Sequence, residues 1–314
     1  MRNDAQIKIF SGSANRVFAE KICNYLGVPV SESKVITFSE GNTYVKIGEK
    51  VRGLDVYIIQ TIGLNPNNEF MELLFWVDAF KRSGVNSVTA IIPYFSYAKA
   101  DKKDEPRVSI RARVCADCLE IAGVDRVVTM DLHSPQIQGF FRKPVDHLYA
   151  AGIFCEHIKT MQLDNYVITS PDEGFAKNAR YYANRLGVPL VIGDKQRLSH
   201  KEEVEIYGLM GDAEGKNAII VDDFTISCST LIETAKVLKE RGAKEIYAFV
   251  SHLLLSEKGV CALEKSPIIK LFATDTVDNP YALNKKIEII SVTALFAKAI
   301  HIIHEKDTLS ELFA

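Results

Sequence analysis

Several stretches place acids, an imidazole or clustered cations where an apolar run ends. In one, Ile219-Ile220-Val221 leads into Asp222-Asp223-Phe224 and then the hydroxyl-rich Thr225-Ile226-Ser227-Cys228-Ser229-Thr230. Two adjacent acids after an apolar strand are hard to explain by packing. They suit a grip on ribose hydroxyls, and a small hydroxyl-bearing turn before a helix can present N–H groups to a phosphate. In a second, Val167-Ile168-Thr169-Ser170-Pro171 ends at Asp172-Glu173-Gly174. A carboxylate there can hold hydrated Mg²⁺ or simply cap a helix. In a third, Asp131-Leu132-His133 offers a carboxylate and an imidazole, the chemistry of a metal ligand and its orienting partner. A surface loop with a solvated histidine fits those residues equally well. Tyr97-Ala98-Lys99-Ala100-Asp101-Lys102-Lys103-Asp104, with Arg107, Arg111 and Arg113 nearby, gathers cations suited to a polyphosphate. The stretch Asp194 to Glu203 is polar and lacks periodicity, so it reads as a mobile loop. Its Lys195 and Arg197, two apart, could close over a phosphate chain, although an ordinary solvated loop fits the pattern too.

The elements that position these groups alternate. A helical pattern, a glycine and a strand recur at Gly84 with Ser87–Pro93, at Gly123 with Arg126–Asp131 and at Gly242 with Glu245–Ser251. Further strands are expected at 7–10, 56–60, 166–169, 218–221 and 287–290. Phe70, Leu73, Leu74, Val77 and Phe80 mark one face of a helix beginning near Asn68; Leu231, Ile232, Ala235 and Leu238 mark another, capped by Ser229 or Thr230. The order βαβα implies an α/β fold of mostly parallel sheets flanked by helices, with ligands at the carboxyl ends of the strands. Leu26-Gly27-Val28-Pro29-Val30 is echoed by Leu186-Gly187-Val188-Pro189-Leu190, which suggests two similar halves. The boundary is expected near residue 150, giving domains 1–150 and 151–314.

The chain has 314 residues with 38 Lys and Arg against 40 Asp and Glu, so it lacks the basic field of a sequence-independent nucleic-acid binder. No stretch approaches a membrane span and no targeting signal is visible, so a cytoplasmic location is expected. The six cysteines form no disulfide framework. Cys115 and Cys118 make a lone CxxC within a helical pattern and read as core thiols. His301 and His304 read as a solvated or interface face of a C-terminal helix.

Taken together, these stretches resemble the ribose-phosphate pyrophosphokinase (PRPP synthetase) family over nearly the whole chain. The most specific segment is Asp131-Leu-His-Ser-Pro-Gln-Ile-Gln-Gly-Phe-Phe-x-x-Pro-Val-Asp146, supported by Phe38-Ser39-Glu40-Gly41, Met71-Glu72-Leu73-Leu74, Ser170-Pro171-Asp172 and Lys195-x-Arg197. The resemblance implies two phosphoribosyltransferase-like domains, with the helix near 292–306 returning to the first. It implies a diphosphokinase that moves the β,γ-diphosphate of ATP to the C1 hydroxyl of ribose 5-phosphate. His133 and Asp172 would lie near Mg²⁺, and Lys195 and Arg197 would be the catalytic loop cations. Asp222, Asp223 and Ile226, Ser227, Cys228, Ser229 and Thr230 would hold the sugar phosphate. Phe38, Glu40 and Asn42, as the flag of a neighbouring subunit, and Lys99, Ala100 and Asp104 would bind ATP. A homodimer or homohexamer is implied.

The sequence also departs from the family pattern. Glu40 and Asn42 alter the flag, and Lys99-Ala100 replaces an Arg-Gln pair. Gly174-Phe175 stands where the family has Gly-Gly, and Ile226-Ser227-Cys228-Ser229-Thr230 where it has Asp-Thr-x-Gly-Thr. Lys keeps the charge but loses the bidentate fork. The altered turn opens a second possibility, the same chemistry on a 5-substituted ribose such as ADP-ribose. The altered flag and turn open a third, a weakly active regulatory subunit.

Overall fold

The structure is a computed structural model that describes residues 7–197 and 204–313; the side chains of 195–197, 204–207 and 313 fall outside that description. The chain divides into two compact units, Met1–Tyr149 with Thr276–Asp278 and Val292–Ala314, and Ala150–Asp275 with Asn279–Ser291.

In chain order the first unit carries β1 (Lys8–Ser11), α1 (Arg16–Leu26), β2 (Ser33–Thr37), β3 (Thr43–Ile47), β4 (Asp55–Ile59), α2 (Pro66–Arg82), β5 (Ser87–Ile92), α3 (Arg111–Ala122), β6 (Arg126–Met130) and β7 (Val145–Leu148). The second carries α4 (Ala151–Thr160), β8 (Tyr166–Ser170), α5 (Ala176–Leu186), β9 (Leu190–Arg197), β10 (Val204–Met210), β11 (Asn217–Thr225), α6 (Ser229–Glu240), β12 (Ile246–Leu253), α7 (Glu257–Lys265), β13 (Lys270–Thr274) and β14 (Ile287–Ile290). The last helix, α8 (Thr293–His304), belongs to the first unit.

The first unit's sheet runs β1-β4-β5-β6-β7 and every pairing in it is parallel. The second unit's runs β10-β9-β8-β11-β12-β13-β14, parallel except for β9 with β10. Helix-covered parallel strands are buried on both faces, which is why β4, β5 and β11 read as continuous apolar runs. The expected class, α/β with two mostly parallel sheets, holds.

Helix α2 begins at Pro66, two residues before the expected start, with the fixed φ of proline suited to a first helical position. Phe70, Leu73, Trp76, Val77 and Phe80 form its buried stripe, and Trp76 stacks on Phe80 with ring centroids 5.5 Å apart. Buried Glu72 accepts from the Ser13 N–H at 2.8 Å, from the Ser13 hydroxyl and from Trp76 Nε1 at 3.2 Å, pinning the turn after β1 to α2. The repeated Leu-Gly-Val-Pro phrase has a shared geometry. Gly27 and Gly187 both adopt φ 69°, and the next N–H closes onto Cys23 and Ala183 respectively at 3.0 Å.

Three expectations need correction. The mobile loop over 194–203 is replaced through Arg197 by β9, which pairs antiparallel with β10 at the sheet edge; residues 198–203 lie outside the described residues. A hairpin at a sheet edge needs no apolar alternation, so periodicity did not reveal it. Neither Ser229 nor Thr230 caps α6; Cys228 does, with φ 58° and no side-chain cap bond. His304 is not on a solvated face, because its ring packs 6.2 Å from that of buried Tyr57.

Helix α8 joins the first unit's core through Phe296, whose ring meets Phe18 edge-on at 5.4 Å with both side chains fully buried. Phe296→Ala should therefore destabilise the protein by about 3–5 kcal/mol. Denaturant unfolding followed by circular dichroism checks this; a loss under about 1 kcal/mol would mean the helix is not part of that core.

Candidate active site

In the second unit, strands β8 and β11 are parallel neighbours with Thr169 opposite Ile220, so their carboxyl ends lie together. Asp172 follows one strand, and Asp222 and Asp223 lie at the end of the other. Asp172 Oδ1 accepts the Phe175 N–H at 3.1 Å, and a Cβ on Gly174 would approach that oxygen to 3.2 Å. Asp223 is buried, and its Oδ1 accepts the Phe224 N–H at 2.9 Å. Asp222 Oδ1 accepts the Asp223 N–H at 3.0 Å. Burial and then the Asp223 and Asp172 carboxylates push the Asp222 carboxyl well above the usual carboxylate range. The three acids share one local field that favours a proton, a cation or hydroxyl donors.

The turn beyond them is built by Thr225. Its hydroxyl oxygen accepts the Cys228 N–H at 3.1 Å and donates toward Cys228 Sγ at 3.6 Å. This bond holds Cys228 in the left-handed region, a conformation that disfavours a side chain by roughly 1–2 kcal/mol. The Cys228 thiol is 1% exposed and burial pushes its pKa up to about 11, so it is a packing group. Ser227 and Ser229 Oγ lie 2.9 Å apart, and Ile226 remains 38% exposed. Behind the turn, α7 presses close: a Cβ on Gly259 would lie 2.7 Å from the Ile226 carbonyl oxygen. Helix α6 thus starts with its N-terminus beside the paired acids' strand end, the arrangement that favours an anion.

In the first unit, Asp131 follows β6 with φ 38° and His133 is exposed beside it. His147, 3% exposed on β7, accepts the Leu132 N–H on Nε2 at 2.8 Å. An accepting Nε2 means an imidazole that carries no proton there, so a buried neutral ring fixes the loop that displays His133. The Tyr149 ring lies 4.4 Å from that of His147 at a tilt of 43°, and its own pKa is raised by burial and then by Asp131.

Lys99, Ala100 and Asp104 line one cavity of about 410 Å³ with Lys102, Glu105 and Arg111. Lys99 Nζ lies 6.0 Å over the Tyr94 ring. Ala100 is buried and offers its backbone, whose carbonyl accepts the Ala112 N–H. Phe38, Glu40 and Asn42 are exposed at the tip of the β2–β3 hairpin, away from any strand of the main sheet. Lys195 and Arg197 lie on β9 opposite Ile206 and Val204; their side chains are outside the described residues. Among the described residues no group of three or more His, Cys, Asp and Glu gathers as a preformed metal cage, and no helix is long and apolar enough to cross a membrane.

Sequence reasoning missed His147, and although it placed Thr225 in the turn it did not foresee that Thr225 holds that turn. A buried histidine in a strand and a threonine at a strand end look like ordinary core residues. Only the hydrogen bonds they make to the loops reveal the role.

A family model described as the N-terminal domain of ribose phosphate pyrophosphokinase matches residues 7–123, and one described as the phosphoribosyl synthetase-associated domain matches 195–314. The chain is 41% identical, over its full length and 99% of the relative, to a ribose-phosphate pyrophosphokinase of Porphyromonas gingivalis. It is 44% identical over 98% of both proteins to that of Caldanaerobacter subterraneus. The crystal structure of phosphoribosylpyrophosphate synthetase from Mycobacterium smegmatis superposes with a TM-score of 0.89 at 33% identity, covering 96% of this chain and 99% of that one. The α/β chain thus falls within one class, the diphosphotransferases. The chain belongs to the ribose-phosphate pyrophosphokinase family of diphosphotransferases.

The raised Asp222 carboxyl has a consequence for stability. A carboxyl whose pKa is raised on folding supports the fold in acid and loses that support as pH rises through the folded pKa. Asp222→Asn should melt higher than the parent near neutral pH without ligands, by roughly 2–4 °C for each kcal/mol recovered. The gap should close as the pH falls toward 4. Thermal melts from pH 4 to 8 read this directly, and parallel curves for the two proteins would refute the crowding.

Proposed function

We propose that the chain is a Mg²⁺-dependent diphosphokinase that transfers the β,γ-diphosphate of ATP to the C1 hydroxyl of ribose 5-phosphate, giving PRPP and AMP. The observation that carries this reading is the Asp222–Asp223 pair at the end of β11, followed by the Thr225-held turn into α6, in a chain whose full-length relatives are named ribose-phosphate pyrophosphokinases. The paired acids are suited to the ribose hydroxyls. Ile226 to Thr230, at the start of α6, are suited to the 5-phosphate.

Mg²⁺ suits the donor chemistry at the end of β8, where Asp172 supplies hard carboxylate oxygens held by the Phe175 N–H. The residues assigned to it are Asp172 and, through its imidazole, His133. When bound, Mg²⁺ would neutralise phosphate charge and orient the diphosphate. Lys195 and Arg197 are assigned to the charge that develops on the transferring group. Lys99, Ala100 and Asp104 are assigned to ATP, as are Phe38, Glu40 and Asn42 of a partner copy in a dimer or hexamer. The C1 oxygen attacks the β-phosphorus in line, the bond from the β-phosphorus to the oxygen bridging it to the α-phosphorus breaks, and AMP departs with that oxygen. The C1 hydroxyl proton passes to solvent.

One feature supports a second acceptor. Ile226 places an exposed apolar side chain in the turn, and Cys228 occupies a left-handed position there. A phosphate monoester gains nothing from an isoleucine, whereas a bulkier 5-substituent such as that of ADP-ribose can cover it.

The protein incubated with Mg-ATP should release AMP when ribose 5-phosphate is added. A higher kcat/KM with ADP-ribose would move the assignment to the second acceptor. AMP release with neither acceptor would rule out both and leave the weakly active regulatory subunit. Lys195→Ala is expected to lower kcat by roughly 100-fold, about 2.7 kcal/mol, with little change in KM. An unchanged kcat would remove Lys195 from the reaction.

A further inference from the structure

The segment between β6 and β7 carries His133 near its start and a short 3₁₀ helix, Pro135–Phe140, beyond it. Ile137 anchors that helix in the first unit's core. A single anchor leaves a segment free to pivot, and the hydrogen bonds of a 3₁₀ helix are poorly aligned. Bonds at the two flanks remove that freedom. His147 accepts the Leu132 N–H just before His133. Beyond the 3₁₀ helix the bonds come from one face of α3.

Arg113 and Glu120, seven residues apart, share that face. Arg113 Nη1 donates to the Phe140 carbonyl at 2.8 Å. Glu120 Oε1 accepts the Arg142 N–H and, at 3.1 Å, the Lys143 N–H. Asp117, one turn beyond Arg113, aims the guanidinium, accepting from Nε at 3.0 Å and from Nη2 at 2.6 Å. A forked pair of this kind holds a planar cation in one orientation. It also turns Arg113 toward the C-terminal end of α3 and away from the cavity at the N-terminal end, which Arg111 lines and Arg113 does not. Arg113 therefore does not belong with the cations that the sequence groups for a polyphosphate. An i,i+4 ion pair with side chains 37% and 43% exposed adds little to stability, so stability does not account for the arrangement.

The first turn of α3 also meets the loop assigned to ATP. The Ala112 N–H donates to the Ala100 carbonyl at 3.2 Å, and Arg111 lines the same cavity as Lys99 and Asp104. One helix of 12 residues thus grips both the Ala100 loop and the segment that displays His133. Its backbone bonds make it a single strut about 18 Å long.

We propose that Arg113 is a positioning residue for the diphosphate transfer: through the Phe140 carbonyl it fixes the segment that presents His133 in register with the Ala100 loop. This rests on the reading of His133 as a residue of the reaction. Arg113 itself touches neither nucleotide nor sugar.

Arg113→Met keeps side-chain length and helix propensity and removes the donors. In the ligand-free protein, the amides of residues 132–141 should exchange with deuterium roughly 10-fold faster in this variant, at the melting temperature of the parent. With saturating Mg²⁺ its kcat should fall roughly 10-fold, with little change in KM for ATP or ribose 5-phosphate. Arg113→Lys, which keeps a donor, should restore both readings. In a His133→Ala background the Arg113→Met change should lower kcat by less than about 2-fold, because residues that act through one another are not additive. Unchanged exchange or unchanged kcat in Arg113→Met overturns the proposal. So does a loss that follows a lowered melting temperature and that Arg113→Lys does not restore. An equal loss in both backgrounds overturns it as well and leaves the His133 reading standing. Parent-like kcat in His133→Ala removes that reading and the proposal with it.

Discussion

The crowding of three carboxylates at the carboxyl end of β8 and β11 is the constraint on which the second unit's chemistry depends. Asp222 lies next to Asp223 and within the field of Asp172, and the burial of Asp223 and half-burial of the other two weaken the screening by water. Such a cluster is destabilising in a protein without ligand. It persists because the parallel sheet and the Phe224, Asp223 and Phe175 N–H groups hold each acid in place. A site of this kind is organised before its ligand arrives, so binding needs little reordering.

The same economy appears in the surrounding turns. Thr225 keeps Cys228 in a backbone region usually left to glycine, and Gly259 lets α7 close on the carbonyl of Ile226. In the first unit, His147 holds Leu132 and thereby the loop that carries Asp131 and His133. Both of these loops are thus fixed by a buried polar side chain. Buried Glu72 does the same for the turn at Ser13.

Much of the fold was legible because parallel strands covered on both faces leave uninterrupted apolar runs. Ile219–Val221 and Val167–Thr169 announced both their strands and the acids that follow them. The Leu-Gly-Val-Pro echo marked two equivalent helix ends because one capping geometry demands one set of residues. Harder to read were elements whose partners are distant or whose faces are solvated. The β9–β10 edge hairpin looked like a polar loop, and the β2–β3 hairpin alternates too weakly to stand out, since its outer face mixes Lys34 and Lys46 with Phe38 and Tyr44. The acids and cations were picked out as candidates by type and position, whereas the bonds by which His147 and Thr225 hold their loops were not, since a hydrogen bond to a loop leaves no periodic trace. Cys228 replaced the expected hydroxyl cap of α6 because Thr225, three residues earlier, already satisfies the turn.

The most direct check on the carboxylate crowding is a site-resolved NMR pH titration of the ¹³C-labelled aspartate carboxyls, with Asp222→Asn assigning the resonance. In the free protein the Asp222 carboxyl is expected to titrate well above the ordinary carboxylate range and to move downward when Mg²⁺ and ribose 5-phosphate are added. An ordinary titration in the free protein, or one that ligand leaves unmoved, would contradict the claim that these three acids form one charged site awaiting a partner.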